Sequence, residues 1–407
     1  MAIYTPRGIK RQYHLAKRFF AKKWLSRLHP TQLAITGSQG KTSVTHMTQE
    51  VLSSIGSTVC TDLALDTTFN VPITALKVMP WTKYLIWELG IDHPGEMAHH
   101  LEIAKPSIGC VTGISPVHTD EEHMGSIETL ITEKRKLIET LPTDGIAILN
   151  NDDVHVQKMA DHTKAKIKWY GSSTDCDMSV DLDSIQVSLE GTSATFRLQN
   201  KEFVLKTGLI GVHHVYKIMA SYLLAYSASK KYIVDIFQEK ISHIKPLRGR
   251  MNMEKGPLNT TLLNDSLRAN PQSTNTGLKT LELIKYEKGK KIAVIGEMGE
   301  LEHPEAEHRK TGELLSKLNI DFVIGIGPLR KFTIDEAIKN GFPKEKTAYA
   351  EDIFQAAKLL ESMLKPRDLW YLKGSLLRNY KRIVQLLNNE NVCCKEVMCP
   401  YDHCGYT

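Results

Sequence analysis

Acidic residues are missing from the start of this chain, since no aspartate or glutamate precedes Glu50. The same stretch contains nine lysines and arginines: Arg7, Lys10, Arg11, Lys17, Arg18, Lys22, Lys23, Arg27 and Lys41. Because the whole chain carries a formal net charge of +6, the remainder is slightly acidic. A nucleic-acid-binding protein would need a distributed basic face or a base-reading module, and the sequence has neither.

Long apolar runs are also missing. No run approaches the roughly 18 residues of a membrane-spanning helix, and no charged-then-apolar leader opens the chain. Only seven of the 407 residues are cysteine, an odd number that argues for a reducing compartment. The 42% of hydrophobic residues is typical of a soluble protein of two or three domains. We therefore expect a cytoplasmic location.

Residues 8–28 have the pattern of a basic amphipathic helix, with apolar residues at Ile9, Tyr13, Ala16, Phe20, Trp24 and Leu28. In one interpretation this helix packs on the following domain and leaves its charges in solvent. In the other it attaches peripherally to an anionic membrane surface, at the inner face, or to a partner chain. The sequence alone leaves both open.

Beyond the helix, short apolar runs alternate with helical segments. The runs lie at residues 31–35, 84–87, 108–111, 146–149, 292–295, 322–324 and 369–372, with a more β-like patch near 177–206. This alternation is typical of parallel sheets with helical crossovers. We predict an α/β protein with four parts: a basic helix at 1–30, a central ATPase domain with a mostly parallel sheet at 31–245, a Rossmann-like α/β domain at 246–390 and a cysteine-rich tail at 391–407.

The most informative motif lies between the strand at 31–35 and a helix that starts near Val44. It consists of Gly37, Ser38, Gln39, Gly40, Lys41, Thr42 and Ser43. A glycine turn that leads into a helix N-terminus gathers several backbone N–H groups and favours an anion. Lys41 can then reach the β- and γ-phosphates, and the Thr42 hydroxyl can bind Mg²⁺. The motif predicts a nucleoside triphosphate site, with ATP as the nucleotide.

Polar residues follow two predicted strands at the edge where this loop must also lie. Glu88 comes after the strand at 84–87, and His118 comes shortly after the strand at 108–111. Since ligands bind at the carboxyl ends of parallel strands, both can reach a Mg²⁺ ion bound to the triphosphate. A salt-bridged structural carboxylate and an ordinary loop histidine are the alternatives.

Lys134 interrupts the apolar stripe of a predicted helix, between Leu130 and Leu137. Desolvation in such a position favours the neutral amine and lowers the pKa of the lysine. A neutral amine beside a cationic metal site can take up CO₂ and become a carbamate, which is an anionic oxygen ligand. When Lys134 is considered alone, the favoured interpretation is a lysine whose stem is buried while its ammonium reaches water.

In this order the motifs resemble those of the Mur ligases, the ATP-dependent amide ligases of peptidoglycan synthesis. The phosphate loop is followed by Glu88-Leu89-Gly90, His93-Pro94-Gly95-Glu96, Val117-His118, Lys134, Arg248-Gly249-Arg250, the segment 264–271, the segment 295–301 and Lys373-Gly374-Ser375. The resemblance covers roughly residues 31–385. Within the family it is strongest to the members that add a D-alanyl-D-alanine dipeptide to a UDP-N-acetylmuramoyl-tripeptide.

The resemblance implies that ATP activates a carboxylate as an acyl phosphate, which the amine of a second small-molecule substrate then attacks. It assigns catalytic roles to Lys41, Lys134, His118 and Arg250, and Mg²⁺ binding to Thr42, Glu88, His118 and a carbamylated Lys134. It assigns nucleotide binding to residues 37–43, His214, Arg250, Asp265 and Asn270. The substrate residues would be Arg268, Lys373 and Ser375.

The chain also departs from the family pattern. His214 stands where the family usually has an asparagine that contacts adenine. Arg268 replaces another asparagine, and its positive charge favours a more anionic substrate. Only residues 1–30 precede the first strand, so we expect no pocket for a UDP-sugar within this chain. A ligase that extends a folate-like or polymer substrate is therefore an alternative, and a catalytically vestigial nucleotide-dependent scaffold is another.

The C-terminal tail contains Cys393, Cys394, Cys399, His403 and Cys404. Such a cluster can bind Zn²⁺, although its spacing is looser than that of a Cys-x₂-Cys knuckle. Reduced thiols in an ordinary tail are the favoured interpretation.

Overall fold

A computed structural model of the chain describes residues 9–62, 67–116, 119–121, 123–199, 201–246, 248–299, 301–375 and 379–392. The helices are α1 (Ile9–Leu25), α2 (Lys41–Ser53), α3 (Thr67–Lys77), α4 (Glu96–Leu101), α5 (Ile127–Glu139), α6 (Val154–Met159), α7 (His213–Ser229), α8 (Val234–His243), α9 (Pro271–Leu283), α10 (Pro304–Leu315), α11 (Pro328–Lys339), α12 (Ile353–Met363) and α13 (Arg382–Leu387).

The strands are β1 (Thr31–Thr36), β2 (Thr58–Cys60), β3 (Tyr84–Glu88), β4 (Ile108–Val111), β5 (Ile146–Asn150), β6 (Lys166–Gly171), β7 (Met178–Val180), β8 (Gln186–Ser188), β9 (Gly191–Leu198), β10 (Lys201–Thr207), β11 (Asn252–Lys255), β12 (Thr261–Asp265), β13 (Lys291–Gly296), β14 (Phe322–Ile326), β15 (Thr347–Ala350) and β16 (Leu369–Lys373). The strands predicted from apolar runs coincide with β1, β3, β4, β5, β13, β14 and β16 to within a residue or two.

Within the described residues the chain forms two compact units. The first comprises Met1–Ile185, Ser193–Thr207 and His213–Ile244, and the second comprises Gln186–Thr192, Gly208–Val212 and Lys245–Thr407. The sheet of the first unit has the strand order β10-β9-β7-β6-β5-β4-β1-β3-β2. Its strands from β2 to β7 pair in parallel, whereas β7 and β9 are antiparallel. The predicted α/β class and the mostly parallel sheet are confirmed.

The central position of β1 determines where polar residues can meet. Strand β1 pairs with β3 on one side and with β4 on the other, so that Ile35 is opposite Glu88 and Thr36 is opposite Val111. Leu33, Ala34 and Ile35 are fully buried, as expected of a parallel strand that is covered on both faces. The loops that follow β1, β3 and β4 therefore leave the sheet at the same edge.

The second unit contains a sheet of order β11-β12-β16-β13-β14-β15. Strand β11 is antiparallel to β12, and the other pairs are parallel. Its core includes Leu262, Val294, Ile324 and Trp370, all fully buried. The predicted Rossmann-like α/β architecture is confirmed, while the four domain boundaries given above stay predictions.

Helix α1 packs against α3 through only part of the stripe that the sequence suggests. Ala21 and Leu25 are buried in a core with residues of α3, and the Trp24 indole donates to the carbonyl of Val78 at 2.8 Å. By contrast Tyr13 and Phe20, which belong to the predicted stripe, are 59% and 60% exposed. The expected apolar face was therefore wrong in part, because tertiary contacts select the Ala21–Leu25 side.

A charged residue completes the packed side of α1. The Arg18 guanidinium donates to the carbonyl of His99 at 2.6 Å and forms an ion pair with Glu102 at 3.3 Å. Burial lowers the pKa of Arg18, and Glu102 partly opposes this shift. Among the described residues, no helix is both long and apolar enough to cross a bilayer.

Candidate active site

The phosphate loop connects β1 to α2 at the centre of the first sheet. Gly40 is the N-cap of α2 and has a left-handed backbone, with φ 80° and ψ −14°. Gly37 also has positive φ, and a Cβ there would lie 2.1 Å from the Thr112 hydroxyl. Both positions therefore require glycine. The turn leaves the first amides of α2 at the sheet edge, where the helix dipole favours an anion.

The loop is fixed by hydrogen bonds to the segment after β4. The Ser38 amide donates to the carbonyl of Gly113 at 2.8 Å, and the Ser38 hydroxyl donates to the carbonyl of Ser115 at 3.0 Å. The Ser115 amide returns a hydrogen bond to the Ser38 hydroxyl at 3.0 Å. Thr112 also donates to the carbonyl of Gln39. Such mutual bonds hold the loop ready for a ligand before it binds.

Lys41 and Thr42 begin α2 at this edge. The Lys41 ammonium donates to the carbonyl of Gly37 at 2.8 Å, so its stem folds back over the loop. The Thr42 hydroxyl donates to Glu88 Oε1 at 2.8 Å. A hydroxyl and a carboxylate at this distance offer the hard oxygen atoms that Mg²⁺ prefers. Of the other two predicted Mg²⁺ ligands, His118 lies outside the described residues, whereas Lys134 lies within them.

Lys134 lies on the buried side of α5 and is only 2% exposed. Burial lowers its pKa well below the ordinary value, and the nearby charge of Lys41 lowers it further. The carboxylates of Asp92 and Glu96 act in the opposite direction but are weaker. Burial and the charge of Lys41 thus both act against the charged ammonium form of Lys134, and Lys41 is close enough for the two charges to interact.

The turn that carries Asp92 is held by Glu96. Glu96 Oε2 accepts from the amides of Asp92 at 2.7 Å and His93 at 3.2 Å. Gly95 is the left-handed N-cap of α4, with φ 91°. The segment His93-Pro94-Gly95-Glu96 thus fixes the backbone next to Lys134.

Helix α7 carries two further residues of interest in the first unit, His214 and Lys217. His214, the predicted adenine-binding residue, is buried, and its ring centroid is 4.1 Å from that of His213. Lys217 follows one turn later and lies over the phosphate loop: a Cβ at Gly40 would be 3.6 Å from its Cε. The sequence prediction missed Lys217. The available signal was a lysine three residues after His214 in a helix with no other lysine, arginine or acidic residue, since residues at this spacing share a face.

In the second unit, Asp265 and Lys373 end the neighbouring strands β12 and β16. The Lys373 ammonium donates to Asp265 Oδ2 at 2.7 Å, and the Tyr371 hydroxyl donates to the same atom at 2.9 Å. Lys373 is 1% exposed. Burial lowers the pKa of Lys373, which the Asp265 carboxylate opposes. The roles predicted for Asp265 with the ribose and for Lys373 with the amine stay predictions.

The other predicted residues of the second unit lie near these strand ends. Asn270 is the N-cap of α9, where its side chain accepts from the Ser273 amide at 2.9 Å. Arg268 is exposed and Ser375 is half-buried. Arg250 follows Gly249, and its positive charge is close enough to Lys373 to lower the pKa of Lys373 slightly. Their roles in binding nucleotide and substrate also stay predictions.

Metal clusters built from protein side chains alone are not found in the described ranges, where no three His, Cys, Asp or Glu residues are arranged to hold an ion. The predicted zinc-binding candidates Cys393, Cys394, Cys399, His403 and Cys404 lie outside those ranges.

Comparison with known proteins gives two family matches. Residues 35–225 match the Mur ligase middle domain, and residues 249–376 match the Mur ligase glutamate ligase domain. The matches together cover well over half of the chain.

Two curated relatives share the name UDP-N-acetylmuramoyl-tripeptide–D-alanyl-D-alanine ligase. The protein of Escherichia coli K12 is 29% identical over 309 residues, which are 75% of this chain and 66% of that protein. The protein of Mycobacterium tuberculosis CDC 1551 is 28% identical over 384 residues, or 89% of this chain and 74% of that protein. This chain therefore spans just under two thirds of the length of the first relative.

Solved structures agree on the fold. MurF from Acinetobacter baumannii has a TM-score of 0.81 and 20% identity, covering 93% of this chain and 81% of that one. MurF ligase from Thermotoga maritima in complex with ADP has a TM-score of 0.78 and 22% identity, covering 95% and 87%. At these identities the likeness shows the architecture.

Proposed function

The chain belongs to the Mur ligase family, and on that basis we propose that it is an ATP-dependent, ADP-forming ligase that joins a carboxylate to an amine. The observation that carries this proposal is the convergence of Lys41, the Thr42–Glu88 pair and the buried Lys134 at one sheet edge. A nucleotide switch or a vestigial scaffold would have no need of a buried lysine at this position.

The chemistry follows from the charges. A carboxylate oxygen of the first substrate attacks the γ-phosphorus of ATP, and the bond to the β-phosphate oxygen breaks to give ADP and an acyl phosphate. The amine then attacks the acyl carbon and loses a proton, and phosphate leaves. Lys41 and the first amides of α2 neutralise the phosphates during the first step.

In this proposal two further sets of residues complete the nucleotide site, one that would hold Mg²⁺ and one that would contact the rest of the nucleotide. Thr42, Glu88, His118 and a carbamylated Lys134 would hold Mg²⁺, which supplies positive charge to the phosphate oxygens when bound. The carbamate forms when the neutral Lys134 amine attacks CO₂ and releases a proton. His214, Arg250, Asp265 and Asn270 would contact the rest of the nucleotide, as the family motifs imply.

For the substrates we propose a cell-wall-precursor carboxylate and an amino acid or dipeptide. The activity for which both relatives are named supports this class, and Lys373, Ser375 and Arg268 would contact the substrates. The exposed Arg268 is suited to an anionic group. A folate-like or polymer carboxylate is the second candidate, favoured by Arg268, which stands where the family has an asparagine.

ADP release against a panel of carboxylate and amine pairs tests this function. We expect ADP only when both substrates are present, with UDP-N-acetylmuramoyl-tripeptide and D-alanyl-D-alanine as the first pair. ADP formation with pteroyl-glutamate and glutamate instead would favour the second candidate. No ADP with any pair, at enzyme concentrations that bind ATP, would contradict a ligase.

We also propose that the outer side of α1 attaches peripherally to an anionic membrane surface. Tyr13, Leu15, Phe19 and Phe20 are all at least 49% exposed, and α1 contains no acidic residue. The Lys17 ammonium lies 4.5 Å from the Tyr13 ring and the Lys23 ammonium lies 5.6 Å from the Phe19 ring. Exposed aromatic rings flanked by lysines are typical of interfacial helices.

Replacing Phe19 and Phe20 together by serine is expected to weaken partitioning to anionic vesicles on the order of tenfold, because two apolar side chains no longer enter the interface. Flotation with phosphatidylglycerol liposomes and with neutral liposomes measures this effect. Leu182→Ser, which removes an exposed apolar residue elsewhere in the first unit, serves as the control. Equal flotation of the double variant and the control would refute attachment through α1.

A further inference from the structure

Lys217 reaches the phosphate loop from α7, a helix far away in sequence. A Cβ built at Gly40 would lie 3.6 Å from Lys217 Cε, 3.7 Å from its Cγ and 3.8 Å from Thr112 Cβ. The stem of Lys217 therefore crosses the residue that caps α2, and its ammonium is one bond beyond Cε. This brings a second lysine, besides Lys41, to the N-terminus of α2.

Contacts on both sides hold this part of α7 in place. Ser221, four residues after Lys217 and so on the same helix face, contacts Met47 Sδ of α2 at 3.6 Å. The neighbouring Tyr216 hydroxyl donates to Asp152 Oδ2 at 2.8 Å, and the Ser172 amide donates to the same oxygen at 2.8 Å. The position of Lys217 over Gly40 is thus fixed by packing.

The location of Lys217 differs from that of Lys41 in a way that matters for a triphosphate. In phosphate loops the backbone amides cradle the α- and β-phosphates, while the loop lysine reaches the β- and γ-phosphates. Gly40, the N-cap of α2, is one of the loop residues whose backbone amides form this cradle. A cation above Gly40 therefore meets the phosphates that ATP and ADP have in common.

We propose that Lys217 is a second phosphate-binding cation of the nucleotide site and contacts the α/β-phosphate part of ATP and ADP. This inference rests on the proposed function, because it requires a nucleotide in the phosphate loop. A charged hydrogen bond to phosphate at a half-buried position strengthens binding and does not depend on the chemical step. Lys217 would thus help retain ADP as well as ATP.

Calorimetry of the full chain with ATP and with ADP, each with Mg²⁺, tests the proposal. Lys217→Met keeps the stem that packs on Gly40 and removes the charge. We expect this variant to bind both nucleotides about tenfold more weakly, with a smaller loss of affinity as salt is raised. Lys217→Arg should stay within about threefold of the wild type, since it keeps the charge.

Two comparisons make the result specific. Lys158→Met, which removes an exposed lysine of α6, should bind both nucleotides like the wild type, and Lys217→Gln provides a second neutral variant should the methionine disturb folding. If the wild-type chain binds nucleotide and the neutral variants bind ADP with affinities within twofold of the wild-type affinity, the role of Lys217 is overturned, while the proposed function stands. A wild-type chain that binds neither nucleotide would overturn the proposed function as well.

Discussion

Replacing Lys41 by alanine is expected to reduce ADP formation on the order of 10³-fold or more, because the variant lacks the cation that offsets γ-phosphate charge as it develops. The fold should survive, since the Lys41 ammonium makes a local bond to the carbonyl of Gly37. Steady-state ADP release measures the loss, and thermal unfolding checks the fold.

The control for Lys41 is Lys77→Ala, which removes an exposed lysine at the end of α3. We expect this control to keep wild-type activity. Turnover of the Lys41 variant near the wild-type rate would exclude the phosphate loop as the site of ATP activation. Since Lys41 serves the γ-phosphate, its loss should also weaken ATP binding more than ADP binding, whereas the loss of Lys217 is expected to weaken the binding of both nucleotides equally.

Replacing Lys134 by alanine is expected to reduce activity to a similar extent, because the site then lacks the anionic oxygen ligand of the carbamate. Lys134→Arg should be equally inactive, since a guanidinium stays charged and does not take up CO₂. Short carboxylates such as formate or acetate should partly restore the alanine variant by filling the space of the carbamate. Wild-type activity should fall when CO₂ is removed and return with bicarbonate.

A spectroscopic readout separates the carbamate from a structural role of Lys134. With ¹³CO₂ the wild-type chain should show a carbamate carbon resonance that is missing in Lys134→Ala. Arg135→Ala removes a cation from the same helix, where Arg135 pairs with Glu139 at 2.6 Å, and should keep both the resonance and the activity. A wild-type chain without the resonance but with full activity would rule out the carbamate.

The sequence alone predicted those features that depend on residues close together in the chain. The turn at Gly37–Ser43 was predictable because its glycines, its lysine and its flanking apolar runs are consecutive. The burial of the Lys134 stem was predictable because its neighbours at helical spacing, Leu130 and Leu137, are apolar, but its ammonium was expected to reach water and Lys134 is instead only 2% exposed. The alternation of strands and helices predicted both α/β units for the same reason.

Features that depend on tertiary contacts were not predictable. Arg18 lies on the packed side of α1 because the His99 carbonyl and Glu102, more than 80 residues away, provide partners. Lys217 reaches Gly40 only because α7 packs on α2. Asp265 shares one oxygen with Lys373 and Tyr371 because β12 and β16 are neighbours, although more than 100 residues separate them.

Transfer of an oxygen atom from the carboxylate substrate to phosphate tests the ligase most directly. The terminal carboxylate of UDP-N-acetylmuramoyl-tripeptide is labelled with ¹⁸O and incubated with the full chain, ATP, Mg²⁺ and D-alanyl-D-alanine. Since the acyl-phosphate route breaks the bond between the acyl carbon and the bridging oxygen, we predict phosphate with one ¹⁸O atom, detected by mass spectrometry, in amounts equal to the amide formed. Released phosphate whose new oxygen comes only from water would contradict the acyl phosphate and, with it, the proposed ligase.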